Sequence, residues 1–267
     1  MDEDIKILIK EQSDKGVLRL VMNNLDYKNA LSNEMIGMLM NEIHDASSDK
    51  SIKVIVLAAK GNVFCSGHDL KEITAAREHK DSGEEFYQDL FDSCSALMQL
   101  IVNTPQPIIA EVDGVATAAG CQLVASCDLA IASNESRFAT PGVNLGLFCS
   151  TPMVALSRNV NKKNAMEMLL TGDFIDASKA KEIGLINNLV QKEELTLEVT
   201  KLAEKIASKS SMTVSTGKQA FYAQAEMDLS AAYKYTSKTM KDNLLKHDAK
   251  EGINAFIEKR SPTWKDK

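Results

Sequence analysis

No stretch of this chain approaches the roughly 20 consecutive apolar residues needed to span a bilayer, so no membrane span is expected. The five cysteines, Cys65, Cys94, Cys121, Cys127 and Cys149, form no CxxC pair and are odd in number. Reduced thiols are expected, rather than a disulfide framework or a zinc site. Four scattered histidines give no metal-ligand spacing. Positive charge is outweighed: 31 Lys and Arg stand against 37 Asp and Glu, a net charge of −6. That balance argues against a general nucleic-acid binder, while a local basic pocket for an anionic ligand stays open. The first ten residues, MDEDIKILIK, are acidic at once, with neither an apolar signal region nor an Arg-rich transit pattern. They predict a cytoplasmic or equivalent location. Low-complexity linkers and repeats of fixed sequence period are absent too.

What the chain does hold is an ordinary globular composition. Its 267 residues, 44% apolar and 25% charged, suit one large domain or one domain with an appendage. IKILI (5–9) and VLRLVM (17–22) flank the turn SDKG, a hairpin signal. Ser32 or Asn33 can cap a helix whose Ile36, Leu39, Met40 and Ile43 keep helical spacing. VIVLAA (54–59) reads as a buried strand, helical periodicity returns over 84–101, and PIIAEV (107–112) is a further strand. Beyond residue 150 helices dominate: 163–170, 176–184 with Gly184 just past its end, 192–210, 213–246 and 248–259. The pattern predicts an α/β core over residues 1–200 and a helical region over 201–267. That region would serve as a lid, a packing arm or an oligomerisation element.

Two turns stand out for their small side chains. In GVATAAGCQLVASCD (114–128), residues 115–127 carry no charge. KGNVFCSGHDLKEI (60–73) has the same logic, with Gly67 at a bend. Each follows a buried strand and would present backbone N–H groups at the C-terminal edge of a sheet, where ligands of α/β folds bind. The later turn feeds a helix at about Ala119–Gly120, whose leading N–H groups lack intrahelical acceptors. Two such groups aimed at one point form an oxyanion hole for a carbonyl oxygen that turns negative. Tight packing of helix on strand also explains small residues, and both readings stand at this point.

In these segments the chain resembles the enoyl-CoA hydratase/isomerase (crotonase) superfamily. FCSGHDL (64–70) is similar to its first oxyanion segment and GVATAAGCQLVASCDLAIAS (114–133) to its second. RFATPGVNLGLFCSTP (137–152), AMEMLLTGDFIDASKAKEIGLIN (165–187) and EGINAFIEKRSP (251–262) continue it in order, and KNALS (28–32) resembles its N-terminal CoA-contacting segment. The resemblance spans nearly the whole chain. It implies an α/β fold: a crotonase-like spiral of ββα units with a C-terminal helical oligomerisation region that packs trimers, often paired into hexamers. It implies a CoA thioester as substrate or ligand and no separate cofactor. The thioester oxygen would lie between the N–H groups of His68 and Ala119, with Ala118, Ala119 and Gly120 small so that the thioester can touch the backbone. By the same resemblance, ligand contacts fall on Lys28, Ala30, Ser66, His68, Asp69, Leu70, Ala119 and Gly120, with Phe256 and Lys259 near a neighbouring subunit's site.

Hydratases of the family use two glutamates, and the matching positions here are Gln122 and Gly142. Hydration needs a base to activate water and an acid to protonate the α-carbon, each typically contributing ~10²–10⁴ in rate. Gln does not transfer protons at neutral pH and glycine has no side chain. Efficient two-glutamate hydration is therefore not expected, and single-glutamate isomerisation also lacks its acid. His68 is the first substitute, since some decarboxylases of the family also carry Gly-His-Asp at this turn; the alternative is that only its N–H serves and the imidazole points to solvent. Cys149 is either catalytic or core. Asp69 and Ser150 read as helix caps, Asp128 as an anchor of the strand start, and Cys121 and Cys127 as packing. Lys28 and Lys259 either meet the CoA phosphates or are merely solvated.

Two function classes follow. One is an acyl-CoA enzyme that keeps the oxyanion hole and changes its proton chemistry, most concretely a decarboxylase of malonyl-type thioesters. Losing CO₂ creates the enolate with no base, and His68 could attract the substrate carboxylate. The other is a non-catalytic protein that binds acyl-CoA or a protein partner. Self-association as a homotrimer or hexamer is expected in either case.

Overall fold

The computed structural model describes residues 6–267. Ile5, the first residue of the strand expected over 5–9, lies outside the described residues. The strand itself is β1 (Leu8–Gln12), antiparallel to β2 (Val17–Met22), with Leu8 opposite Met22 and Gln12 opposite Leu18. Pairing with buried β2 sets this register, and it carries the strand past the apolar run into Lys10–Gln12. The hairpin at SDKG holds: Ser13 N–H donates to Val17 O at 2.9 Å. Helix α1 (Asn33–Ser48) is capped by Ser32, whose hydroxyl accepts from Met35 N–H at 3.2 Å.

Three successive units then repeat one layout. β3 (Val54–Ala59), β4 (Val63–Cys65) and α2 (Leu70–Ala75) form the first, extended by α3 (Glu84–Asn103). β5 (Ile108–Val112), β6 (Val115–Thr117) and α4 (Ala119–Ser126) form the second, and β7 (Leu129–Ser133), β8 (Arg137–Ala139) and α5 (Pro152–Asn159) the third. α6 (Lys162–Thr171), β9 (Ile175–Asp176), α7 (Ala177–Glu182) and β10 (Asn188–Val190) complete both sheets. In each unit the first strand joins a larger sheet, ordered β1-β2-β3-β5-β7-β10, and the second a smaller one, ordered β4-β6-β8-β9. From β2 to β10 the larger sheet is parallel. The chain is thus a crotonase-type spiral of ββα units.

The larger sheet is buried on both faces, and its strands alternate between two apolar clusters. Ile55 and Leu57 face α1 and α3, joining Met35, Leu39, Leu97 and Ile101. Val54, Val56 and Ile109 face α8 (Leu195–Ala207), through Leu195, Val199 and Ala203. A charge sits on this second face. Glu111 of β5 accepts from Arg19 Nη1 at 2.6 Å and from Thr196 Oγ1 at 2.8 Å, so the buried carboxylate is paired and hydrogen-bonded. Helix α8 runs across the boundary expected between residues 200 and 201 and packs on the sheet along its length.

The remaining helices are α9 (Ser211–Ala225), α10 (Leu229–Leu244) and α11 (His247–Ile257). The helical stretch expected over 213–246 is thus two helices; Asp228 caps the second by accepting from Ala231 N–H at 2.9 Å. Residues of the tail return to brace α11 and α9: Asp248 accepts from the N–H groups of Lys265 and Asp266, and Asp266 from Ser211 N–H. Large apolar side chains nevertheless face outward here, among them Leu229, Tyr233, Leu245, Phe256 and Ile257. Among the described residues no helix is long and apolar enough to cross a membrane.

Candidate active site

The two small-residue turns meet. Gly67 takes φ +95°, in the left-handed region that favours glycine. A Cβ there would lie 3.0 Å from Ala118 Cβ and 3.4 Å from Ala119 N, so the turn after β4 lies directly against the turn after β6. Ala118 itself is at φ 50°, ψ −118°, a sparsely populated conformation for a residue with a side chain. Its N–H donates to Ala139 O at 3.0 Å and its carbonyl accepts from Gln122 N–H, which fixes the peptide before Ala119. Ala119 opens α4, so its own N–H points out of the helix. Among the described residues neither the Ala119 nor the His68 N–H donates to a protein acceptor.

The two explanations for small residues divide between neighbours. A Cβ on Gly120 would lie 2.2 Å from Cys65 O, so Gly120 is small because α4 packs on β4. Ala118 and Ala119 border the exposed N–H. The earlier segment KNALS lies alongside: Leu31 N–H donates to Gly67 O at 2.8 Å and Ser66 N–H to Lys28 O at 3.2 Å. Lys28 is exposed and Ala30 buried. Asn29, which the sequence reading passed over, locks the segment. Its side chain donates to Lys60 O and Val63 O and accepts from Asn24 N–H. Thr117 was missed too; its hydroxyl donates to Ser66 O at 2.9 Å, tying the two turns together. A buried Asn with φ 50° inside KNALS was the available signal for the first.

Asp69 caps α2, accepting from Lys71 N–H at 2.7 Å, and Leu70 is exposed at the helix start. Ser150 is not the cap of α5. Its hydroxyl contacts Phe148 O at 3.3 Å, and the helix begins at Pro152 with Thr151 before it and no side-chain cap. Proline at the first position has no N–H to satisfy, which removes one reason for a cap. Asp128 is the expected anchor, accepting from Ile108 N–H at 2.7 Å, from Lys218 Nζ at 2.7 Å and from Tyr222 OH at 3.0 Å. Phe256 and Lys259 are exposed at the end of α11 and make no side-chain hydrogen bond to either turn.

The imidazole of His68 does not point to solvent. Nδ1 lies 3.2 Å from Leu31 O, the ring meets Phe91 edge-on at 5.5 Å, and Nε2 is buried without a partner. Burial pushes its pKa below the ordinary histidine value, with the Leu31 carbonyl opposing. Gln122 is 4% exposed, and its Oε1 is 4.0 Å from Cys94 Sγ. At Gly142 a Cβ would meet Cys149 Sγ and Leu147 O, each at 2.9 Å, so the thiol and the 147–149 backbone fill the space of a side chain there. Burial raises the thiols of Cys65, Cys94 and Cys121 to about 12 and pushes those of Cys127 and Cys149 upward as well. None is held as a thiolate nucleophile at neutral pH.

Comparison with known proteins agrees with this geometry. The family model described as enoyl-CoA hydratase/isomerase matches residues 12–267. The rat enoyl-CoA hydratase domain-containing protein 3, mitochondrial, is 50% identical over 257 residues, covering 96% of this chain and 84% of that protein. The 2,3-dehydroadipyl-CoA hydratase of Escherichia coli K12 is 32% identical over 251 residues, covering 93% and 95%. The crystal structure of human enoyl coenzyme A hydratase domain-containing protein 3 superposes with a TM-score of 0.92 at 47% identity, covering 97% of this chain and 100% of that one. The vertebrate relatives are named mitochondrial, which overturns the cytoplasmic expectation. Composition and charge describe a fold's solubility, whereas a cellular address is a separate signal. From the meeting of the two turns and from these matches, the chain belongs to the enoyl-CoA hydratase/isomerase family.

Proposed function

We propose that the chain binds an acyl-CoA with the thioester oxygen accepting from the His68 and Ala119 N–H groups, and that it works through a thioester enolate without paired glutamates. The observation that carries this reading is the pair of outward N–H groups at touching turns, beside Gln122 and a Gly142 whose side-chain space is filled. The concrete reaction is decarboxylation of a malonyl-type thioester. The carboxylate leaves as CO₂, its bonding electron pair passes into the thioester as an enolate, and the α-carbon then takes a proton. No enzymic base is required, and the oxyanion donors stabilise the charge that develops. An apolar, uncharged surround such as the Phe91 ring disfavours the charged carboxylate relative to neutral CO₂. Release of CO₂ from malonyl-CoA above the uncatalysed rate supports the reaction; binding without release leaves the non-catalytic acyl-CoA binder, a reading that the neutral thiols and missing carboxylates favour.

Replacing Ala119 with Val crowds the N–H that meets the thioester. Acyl-CoA affinity, measured by calorimetry, is expected to fall roughly tenfold or more, from the ~1–3 kcal/mol that overpacking typically costs. The native chain failing to bind any CoA thioester at millimolar concentration overturns the acyl-CoA reading.

The outward apolar residues of α10 and α11 support self-association, and Lys28 with Lys259 of a neighbour would face the CoA phosphates. Phe256 is 84% exposed in the single chain, and burying such side chains between subunits stabilises them by about 25 cal/mol per Å². Light scattering at micromolar concentration is expected to give a trimer or hexamer of the 29.2 kDa chain. A mass of one chain refutes the assembly.

A further inference from the structure

The imidazole of His68 has one nitrogen engaged and one free. Nδ1 faces the Leu31 carbonyl at 3.2 Å, and a carbonyl only accepts, so Nδ1 carries the proton and Nε2 offers a lone pair. That lone pair is buried and unpartnered. The ring rests on Phe91 of α3. Three residues along the same helix, Cys94 contacts Gln122 Oε1. Residues three apart on a helix are neighbours, with Cβ atoms about 5–6 Å apart, so the imidazole and the Gln122 amide stand side by side over one stretch of α3. The Cys94 thiol takes the amide oxygen and leaves the NH₂ group as a donor. A lone pair beside an N–H donor matches an oxygen atom that both donates and accepts. A plain hydrocarbon chain would leave both protein groups unpaired, which opposes its binding.

Resting on the acyl-CoA reading above, we propose that His68 Nε2 and the Gln122 amide recognise an oxygen substituent on the acyl chain that brings its own proton. The substituent is a hydroxyl, or a carboxyl taken up together with one proton. The groups around the imidazole are the Leu31 carbonyl and the Phe91 ring, with the Cys94 thiol one turn along kept neutral by burial. No charged side chain contributes to its titration, and burial keeps it neutral near pH 7. The sequence-based expectation that His68 attracts a carboxylate is thereby changed: it offers no standing positive charge, and a carboxylate binds with a proton shared at Nε2. For a malonyl-type thioester the balance closes. The anion and one proton enter, CO₂ leaves, the bonding pair becomes the enolate, and the proton held at Nε2 moves to the α-carbon, restoring the neutral ring.

The test compares butyryl-CoA, 3-hydroxybutyryl-CoA and malonyl-CoA by calorimetry at pH 7.5 in two buffers of different ionisation enthalpy. If malonyl-CoA turns over, its KM replaces Kd. At least one polar ligand is expected to bind about tenfold more tightly than butyryl-CoA, the margin of one satisfied polar pairing. A hydroxyl ligand binds without proton uptake, and a carboxyl ligand with uptake of about one proton. In His68→Leu, and separately in Gln122→Met, the ratio of polar to butyryl affinity is expected to fall toward one. A misfolded variant loses all ligands and is recognised by that loss, so the second variant keeps the comparison decisive. Equal affinities in the native protein, or a margin kept in both variants, overturn this inference while leaving the acyl-CoA reading intact. Absence of binding by all three overturns that reading instead.

Discussion

Hydration of crotonyl-CoA by this protein is expected to be at least about 10⁴-fold slower than that of a two-glutamate enzyme, because two proton-transfer groups are missing and each typically contributes ~10²–10⁴. Gln122 stands where one would be and Gly142 where the other would be. Loss of the conjugated thioester absorbance measures it. Turnover near the ordinary enzyme median of about 10 s⁻¹ sinks the claim and requires an acid or base that neither turn contains. The structure adds a sharper result. The double substitution Gln122→Glu with Gly142→Glu is expected to leave hydration unrestored and to lower Tm. A Cβ at 142 meets Cys149 Sγ and Leu147 O at 2.9 Å, so the second glutamate enters only if the 147–149 backbone moves. The catalytic loss is therefore built into the loop and is not one substitution deep.

Lys218→Met is expected to destabilise the fold by about 3–5 kcal/mol, the usual result of removing one partner from a buried ion pair. Lys218 is 9% exposed and spends all three ammonium protons, on Asp128 Oδ2 at 2.7 Å and on Ile101 O and Gln106 O at 2.9 Å. Its burial lowers its pKa although Asp128 pulls the other way. Methionine fills similar space but leaves a carboxylate and two carbonyls without their donor. Asp128 is also where β5, β7 and α9 converge, through Ile108 N–H and Tyr222 OH. Denaturant unfolding at neutral pH reads the change. A loss below about 1 kcal/mol overturns the claim that this pair holds α9 to the core, since that is the range of exposed pairs. Lys218→Met combined with Asp128→Asn is expected to cost less than the two changes added, because the stranded charge is then gone.

Much of the fold was legible in the sequence, for a physical reason. Long buried strands and amphipathic helices write their period into the chain: VIVLAA became β3, and the 84–101 pattern became α3, extended two residues to Asn103. Short strands do not. β4, β6 and β8 have three residues each, too few to show a period, yet they carry the turns that make the site. The start of β1 and the break between α9 and α10 were set by pairing and capping that hydrophobicity does not record. The boundary near residue 200 was misplaced because α8 has the composition of a surface helix, while its Leu195, Val199 and Ala203 cover the second face of the sheet.

For the site, the sequence by itself determined the two small-residue turns, their position after buried strands, the absence of glutamates at 122 and 142, and the family. Backbone chemistry and residue identity are local properties, and they survive reading in one dimension. Only the tertiary structure decided what lies across from what. It brought Gly67 against Ala119, showed that Gly120 is small for Cys65 and not for a ligand, and placed Cys149 in the space of a side chain at 142. It turned His68 inward, onto a carbonyl that sits 37 residues earlier in the chain and a ring 23 residues later. The protonation of that imidazole, and so the kind of acyl group it can hold, depends on burial and on those two neighbours. Neither has any trace in the residues adjoining His68, because desolvation is a property of the packed molecule.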